Sequence, residues 1–571
     1  MRAGARALRS QRAAGCDDQP SLLAYAVGYD GNLQRRVKQN RSRPATRGAW
    51  PRAPKHIAQS VDRAARQTYA SQKTSRSIFN RTHTVWCNFF GHGRHGGTRS
   101  RCIRKIREIL VKRVAIVGGG IAGIAAALRL SEAGFTPIVL ETRGKLGGRA
   151  TSFVDPRTGK ILDNCQHVAM GCCVNLLDFY QRLGVLERMQ WHSQTYWANP
   201  PHEPDVMRSG WLPAPAQFTG SFLRMRMISL KDKVAIAFAM FKLMRLGYGG
   251  RERWRGRVFL DFLRETHQTA RAIERFWEPV VVSACNLPSA HVDAPVAMKV
   301  FQEGFLSHRF ASAMALSVVP LLDLYDPAEA IIAKTGGQVK LGVSAHAIAF
   351  DGERVTGVVT NEGLVEAAAV ISAVPFDRLL KLCSPTLQAK DARLRSLDRI
   401  TTSPILGVHL VYEKPVLDQP HLVLPARATQ WLFNKGVDEA GRQHIHAVIS
   451  SADAWMDLDE AEIARRVRQD IDWACPRARA LAPTEVRSVK EKRATFAAVP
   501  GFEALRPGPL PNATGGVDNL ILAGDWCDTG WPATMEGAVR SGYAAADAIT
   551  KKNSLQQELP AAFFARVAGL G

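Results

Sequence analysis

The sequence predicts an α/β fold: a nucleotide-binding domain interrupted in the chain by an inserted, mixed α+β domain. Three observations predict it. First, a short β-branched strand, Val114 to Val117, runs into Gly118, Gly120 and Gly123 at the spacing G-x-G-x-x-G, and a small-residue helix follows from Ile121 to about Ala133. Second, a strand from Thr136 to Leu140 ends on Glu141, 18 residues after Gly123. Third, residues 519–549 read as another buried strand (Leu520 to Ala523), then Gly524, Asp525, a loop, and a helix from about Ala533.

Each part has a physical task. Gly118 permits a tight turn, Gly120 lets backbone approach a pyrophosphate, and Gly123 lets helix and strand pack closely. The helix start at Ile121 and Ala122 offers unpaired N–H groups and partial positive charge to phosphates. Glu141 can accept from a ribose hydroxyl. This order of strand, glycines, helix, strand and acid is a Rossmann-type signature. A second glycine pair with a fixed cation, Gly147, Gly148 and Arg149, points to FAD rather than NAD, because a guanidinium can offer a planar donor fork to the pyrophosphate. Asp525, beside Gly524 at a strand end, can bind a polyol such as the ribityl chain. Thr534 and Met535, opening the last helix, would bring positive dipole to the flavin pyrimidine edge. No His or Cys stands in a context that demands a covalent link, so FAD is expected to be noncovalent.

Composition bounds the alternatives. The 571 residues can bury more than one core, and 46% hydrophobic with 22% charged residues is ordinary for a globular protein. The net charge of +25 is concentrated at one end: residues 1–112 carry 24 Lys and Arg against 5 Asp and Glu, and the remaining 459 carry 52 against 46. The body lacks a basic, aromatic-interleaved motif, which argues against nucleic acid as a partner. The ten cysteines are scattered, with no C-x-x-C pair and no metal-ligand spacing with His, so no metal site and no disulfide scaffold are expected and a cytoplasmic setting fits. No stretch reaches the 18 or so apolar residues that span a bilayer.

Residues 1–110 lack sustained periodicity and read as a disordered basic arm. Met1 is the sole methionine before Met170. The reading adopted is an over-extended reading frame, with a targeting peptide or nucleic-acid tether as functional alternatives. Residues 111–180 are assigned to the first part of the FAD domain and 181–330 to a helical, substrate- and membrane-facing domain. Residues 331–400 return the chain to the FAD domain, with strands over 338–348, 354–360 and 370–373. Residues 401–505 form a substrate-domain sheet, on the alternation Ile405, Gly407, His409, Val411. Residues 506–552 close the FAD domain and 553–571 are a tail. Between Phe222 and Arg257 an apolar helix is flanked by Lys, Arg and Trp, a pattern that fits a surface dipping into a membrane interface.

The nucleotide motifs resemble the FAD-dependent amine oxidase and carotenoid desaturase superfamily. The segments 161–185 (with D-N-C-Q-H), 275–288 (with F-W-E-P) and 524–542 resemble the hydroxysqualene dehydroxylases, squalene-associated flavoenzymes of bacterial hopanoid pathways. Cys165 departs from the glycine expected there. The resemblance implies reductive removal of an allylic hydroxyl from hydroxysqualene to give squalene, with reduced flavin supplying hydride. It places His167 beside the flavin as proton donor to the leaving oxygen, Gln166 and Trp277 at the substrate, and backbone near Val343 to Ala345 on the adenine side. It also implies a polyisoprenoid hydrocarbon substrate, a peripheral position on the inner face of the membrane, and association with other squalene- or hopanoid-pathway enzymes. The nearest alternative is a carotenoid or phytoene desaturase, running hydride transfer the other way. Amine oxidation is less favoured, since no clear pair of aromatic side chains is visible to cage an amine.

Overall fold

A five-stranded, all-parallel sheet carries the nucleotide motif. Its strands are Gln338–Leu341, Thr136–Glu141, Arg113–Val117, Ala369–Ser372 and Leu520–Leu522, in that spatial order. The computed structural model describes residues 112–512 and 515–570, so the readings made for residues 1–110 lie outside the described residues. Strand residues Val114 to Val117 are all buried. A parallel sheet is covered on both faces, so its strands are apolar without alternation, except at the edge strand Gln338–Leu341, whose Gln338 and Leu341 are exposed.

The glycine-loop helix, Ile121–Glu132, packs against the helix Met535–Thr550. Close approach of these helices depends on missing side chains. A Cβ on Gly542 would lie 2.3 Å from Ala122 O, and one on Gly123 would lie 2.0 Å from Gly118 O. Two segments separated by some 400 residues in sequence thus close one domain.

The second large sheet has seven strands: Glu485–Phe496, Thr402–Tyr412, Gln443–Ser450, Trp431–Val437, His421–Val423, Gln194–Asn199 and His202–Arg208. Its two faces differ, as the period of two requires. Leu406, Val408, Leu410, Leu432, Ile445 and Ala447 share a core with Ile463, Val467 and Ile471 of the helix Glu460–Ala474. The other face presents Gly407, His409, His446 and Phe433 toward the segment around Asn164 and Cys165.

Several expectations are corrected. Residues 181–330 are not purely helical: the hairpin 194–208 joins the seven-stranded sheet, and Met189–His192 pairs with Met314–Ser317. The stretch 338–348 is two strands, because Gly342 (φ +72°) turns the chain out of the nucleotide sheet and Ala345–Phe350 begins a separate three-stranded sheet. The expected tail holds a short helix, Phe563–Val567, anchored by buried Ala565 and Leu570.

Candidate FAD and substrate site

The glycine loop leaves the nucleotide strand at Gly118 (φ +108°), and Gly120 caps a helix whose N-terminus has no side-chain cap. A Cβ on Gly120 would meet just one neighbour within 4 Å, Gly148 Cα at 3.8 Å. The space beside Gly120 is therefore free of protein. Glu141 stands at the adjoining strand end, and its carboxylate accepts from Gly119 N (2.7 Å) and Arg143 N (2.9 Å). Its remaining lone pairs suit a ribose hydroxyl. Gly147 N donates to Gly119 O at 2.9 Å, which seats the second glycine pair on the first. Gly147 (φ +100°) and Gly148 (φ +63°) both adopt left-handed backbone. A bare helix N-terminus, a vacant approach to Gly120 and an acid at the next strand end fit a dinucleotide.

Arg149 and Asp525 were expected to contact the cofactor separately. The structure brings them together: Arg149 donates to Asp525 Oδ1 at 2.5 Å and to Ala494 O at 2.7 Å. Asp525 is buried, and a buried carboxylate without a partner would be costly. Gly524 (φ +139°) lies directly under the Trp526 indole, so a side chain there would strike Trp526 Nε1. Thr534 caps the helix Met535–Thr550 through Oγ1, which accepts from Gly537 N at 3.1 Å, and the Tyr180 hydroxyl lies 3.7 Å from Met535 Sδ. On the side that the resemblance assigns to the adenine, it is Val343, not Ala345, that touches the acid strand: Val343 N donates to Glu141 O at 3.0 Å, while Ala345 starts the next sheet opposite Thr360.

Glu536 does more than complement its own helix dipole. Its fully buried carboxylate accepts from Asn175 Nδ2 (2.8 Å) and Leu176 N (2.7 Å), capping the helix Val174–Arg182. Burial raises its pKa, opposed by these hydrogen bonds and by the Arg540 charge. Glu536→Ala is expected to destabilise the protein by about 3 kcal/mol, because it leaves buried donors unpaired. Denaturant titration would check this.

The segment Asp163 to His167 sits against the second glycine pair, since Asn164 Nδ2 donates to Arg149 O. Asp163 is buried and holds three elements together: it accepts from Ser152 Oγ (2.7 Å), Leu321 N (3.0 Å) and Lys435 Nζ (3.2 Å). Lys435 also donates to Gln166 Oε1 at 3.1 Å. His167 Nδ1 lies 3.1 Å from Cys165 O. Burial lowers the His167 pKa, so the neutral ring donates from Nδ1 to Cys165 and leaves Nε2 as an acceptor. Cys165 is absent from the positive-φ residues, so the expected glycine's conformational freedom is not needed there. Trp277, expected at the substrate, is instead fully buried in the helical core. Its indole donates to Gln268 Oε1 at 2.8 Å, and its ring packs edge-on to Phe301 at 4.7 Å.

Lys435 and a histidine cluster were missed from sequence. His409 Nε2 lies 2.8 Å from Asp163 O, His409 Nδ1 lies 3.0 Å from His444 Nε2, and His409 stacks on His446 at 3.9 Å. The available signal was the alternation H-x-H at 444–446 beside His409 on strands. Pairing register, which put them face to face, was not legible. Burial pushes His409 and His421 down to about 4. Both rings then stay neutral in the folded state while the unfolded chain protonates below pH 6.5, so stability falls as pH drops from 6.5 toward 4. The loss is expected to reach about 2 kcal/mol per ring at pH 5, read as a declining Tm across that window. A flat profile would contradict it.

Comparisons with known proteins bear on the family and the fold. The family model described as flavin containing amine oxidoreductase matches residues 121–550. The chain therefore belongs to that family, and it is an FAD-dependent oxidoreductase. It is 28% identical over 454 residues to hydroxysqualene dehydroxylase of Rhodopseudomonas palustris, covering 77% of this chain and 98% of that one. It is 26% identical over 468 residues to 15-cis-phytoene desaturase of Synechococcus elongatus, covering 78% and 97%. Among solved structures, putrescine oxidase bound to putrescine superposes with a TM-score of 0.59 at 17% identity, covering 77% of this chain and 99% of that one. An oxidoreductase from Methanosarcina mazei gives 0.60 at 18% identity, covering 75% and 98%. At these identities the structural likeness speaks for the fold.

Proposed function

We propose that this FAD-dependent oxidoreductase removes the hydroxyl of hydroxysqualene reductively, giving squalene. The observation that carries the reading is the polar cluster of Asp163, Lys435, Gln166 and His167, joined through Asn164 to the second glycine pair. A leaving hydroxyl must be oriented and protonated, whereas a pure hydrocarbon offers nothing to hydrogen-bond. FAD supplies the two-electron exchange when bound. The chain's own residues orient the leaving oxygen, and His167, protonated at Nε2 as the imidazolium, delivers the proton with which that oxygen departs as water, returning to the neutral ring that holds Cys165 O through Nδ1. Likeness to the R. palustris dehydroxylase supports this reading. Likeness to the S. elongatus desaturase supports a second one, desaturation of a phytoene-like polyene. Either substrate partitions into lipid, which implies a peripheral position on the inner membrane face and neighbours that make or consume squalene.

The test is anaerobic incubation of flavin-reduced protein with hydroxysqualene, and of the oxidised protein with phytoene. Squalene formed with matching flavin reoxidation is the expected result. Unchanged hydroxysqualene overturns the reading, and flavin reduction by phytoene would establish the second.

A further inference from the structure

Half of the large exposed apolar side chains among the described residues, eight of sixteen, fall on one long helix and two short helices beside it. The long helix Leu230–Gly250 turns Ile236, Ala239 and Leu243 to the core. Its opposite side carries Leu230 (72% exposed), Val234 (63%), Phe238 (42%) and Phe241 (50%). Steps of four, four and three residues place them in one stripe. Leu223, at the end of the helix Thr219–Arg224, adjoins the first half, since Lys233 Nζ donates to Leu223 O at 2.7 Å. The C-terminal helix, Phe563–Val567, adjoins the second half. It exposes Phe563, Phe564 and Val567, and Gly569 just after it lies against Met244 and Arg245.

The charges that the long helix carries outside the core have one sign. Lys231, Lys233, Lys242 and Arg245 lie on the long helix, with Lys242 Nζ 5.3 Å from the Phe238 ring. The sole acid of that helix, Asp232, is buried in a capping box with Ser229. The helix is also held firmly from within: Gln302 Nε2 donates to Leu243 O and Gly247 O, both at 2.9 Å, across the kink at Gly247. A fixed apolar stripe rimmed by cations matches an anionic lipid leaflet, with rings entering the acyl boundary and cations at headgroup phosphates. No helix among the described residues is long and apolar enough to cross a membrane.

We infer that the long helix and the C-terminal helix together form a monotopic docking face for an anionic bilayer. The inference deepens the proposed function by naming where a lipid-soluble substrate meets the protein. It rests on that function for the direction of substrate traffic alone.

The test is co-sedimentation of the full chain with phosphatidylcholine vesicles, with and without phosphatidylglycerol, and without substrate. High salt screens purely electrostatic attraction, including any from the basic residues 1–112. In high salt the wild type should still bind. Phe238→Glu combined with Phe241→Glu and Phe563→Glu should lower partitioning at least tenfold, with flavin content and Tm kept. Lys242→Gln with Arg245→Gln should weaken binding to anionic vesicles in low salt and leave high-salt binding unchanged. Should the glutamate variant lose its fold, Leu230→Gln with Val234→Gln replaces it, with a several-fold loss expected. Equal binding by folded stripe variants and wild type overturns the inference. So does a wild type that ignores vesicles, or one that self-associates through this face instead. Because binding is read without turnover, failure to make squalene would leave this result standing, and the converse also holds.

Discussion

Gly120→Val should yield folded protein without flavin. Gly120 has φ −76° and ψ 178°, a conformation valine adopts readily. The nearest protein atom to its added Cβ is 3.8 Å away. The chain can therefore accept the side chain, and the clash falls on the pyrophosphate that must approach this backbone. Gly123→Val is the contrasting case. Its Cβ would sit 2.0 Å from Gly118 O, so the loss there is of folding. Circular dichroism and flavin absorbance separate the outcomes: native ellipticity with no flavin for Gly120→Val, and poor soluble yield for Gly123→Val. A fully yellow Gly120→Val protein would show that the cofactor does not lie on this loop.

His167→Ala should lower single-turnover oxidation of reduced flavin by hydroxysqualene roughly 10²- to 10⁴-fold, the usual worth of general acid catalysis. FAD affinity should change little, because the ring's polar contact is Cys165 O rather than any glycine-loop atom. The pH dependence gives a second readout. Burial holds the His167 pKa below its ordinary 6.5, so the imidazolium able to give up a proton grows as pH falls through and below that value. The wild-type rate should therefore rise toward acid, within the range where the buried histidines still permit folding, and the alanine variant should lose that rise. A loss under about tenfold with FAD intact would assign His167 to packing.

The nucleotide site was largely legible from sequence because its chemistry is local. In the candidate site, Gly118, Gly120, Gly123 and Glu141 are placed by backbone conformation and strand-end position, and both follow from neighbours in the chain. Arg149 and Asp525 were legible as residues but not as a pair. They are 376 positions apart, and their 2.5 Å contact exists because distant strands align in one sheet. Trp277 misled for the converse reason. A tryptophan beside a distinctive motif carries no mark of whether its ring faces a substrate or a core, and Phe259, Phe301 and Gln268 decide the matter.

The polar cluster divides the same way. The sequence by itself determined that Asp163, Gln166 and His167 lie on one short segment, and that His409, His444 and His446 alternate on strands. Period and spacing are properties of a single chain segment. Tertiary structure alone decided that Lys435 spans Asp163 and Gln166, that His409 reaches Asp163 O, and that Glu536 caps a helix 360 residues upstream. Those contacts depend on sheet register and on which faces oppose each other, and both are set by burial of the whole apolar surface rather than by any local stretch.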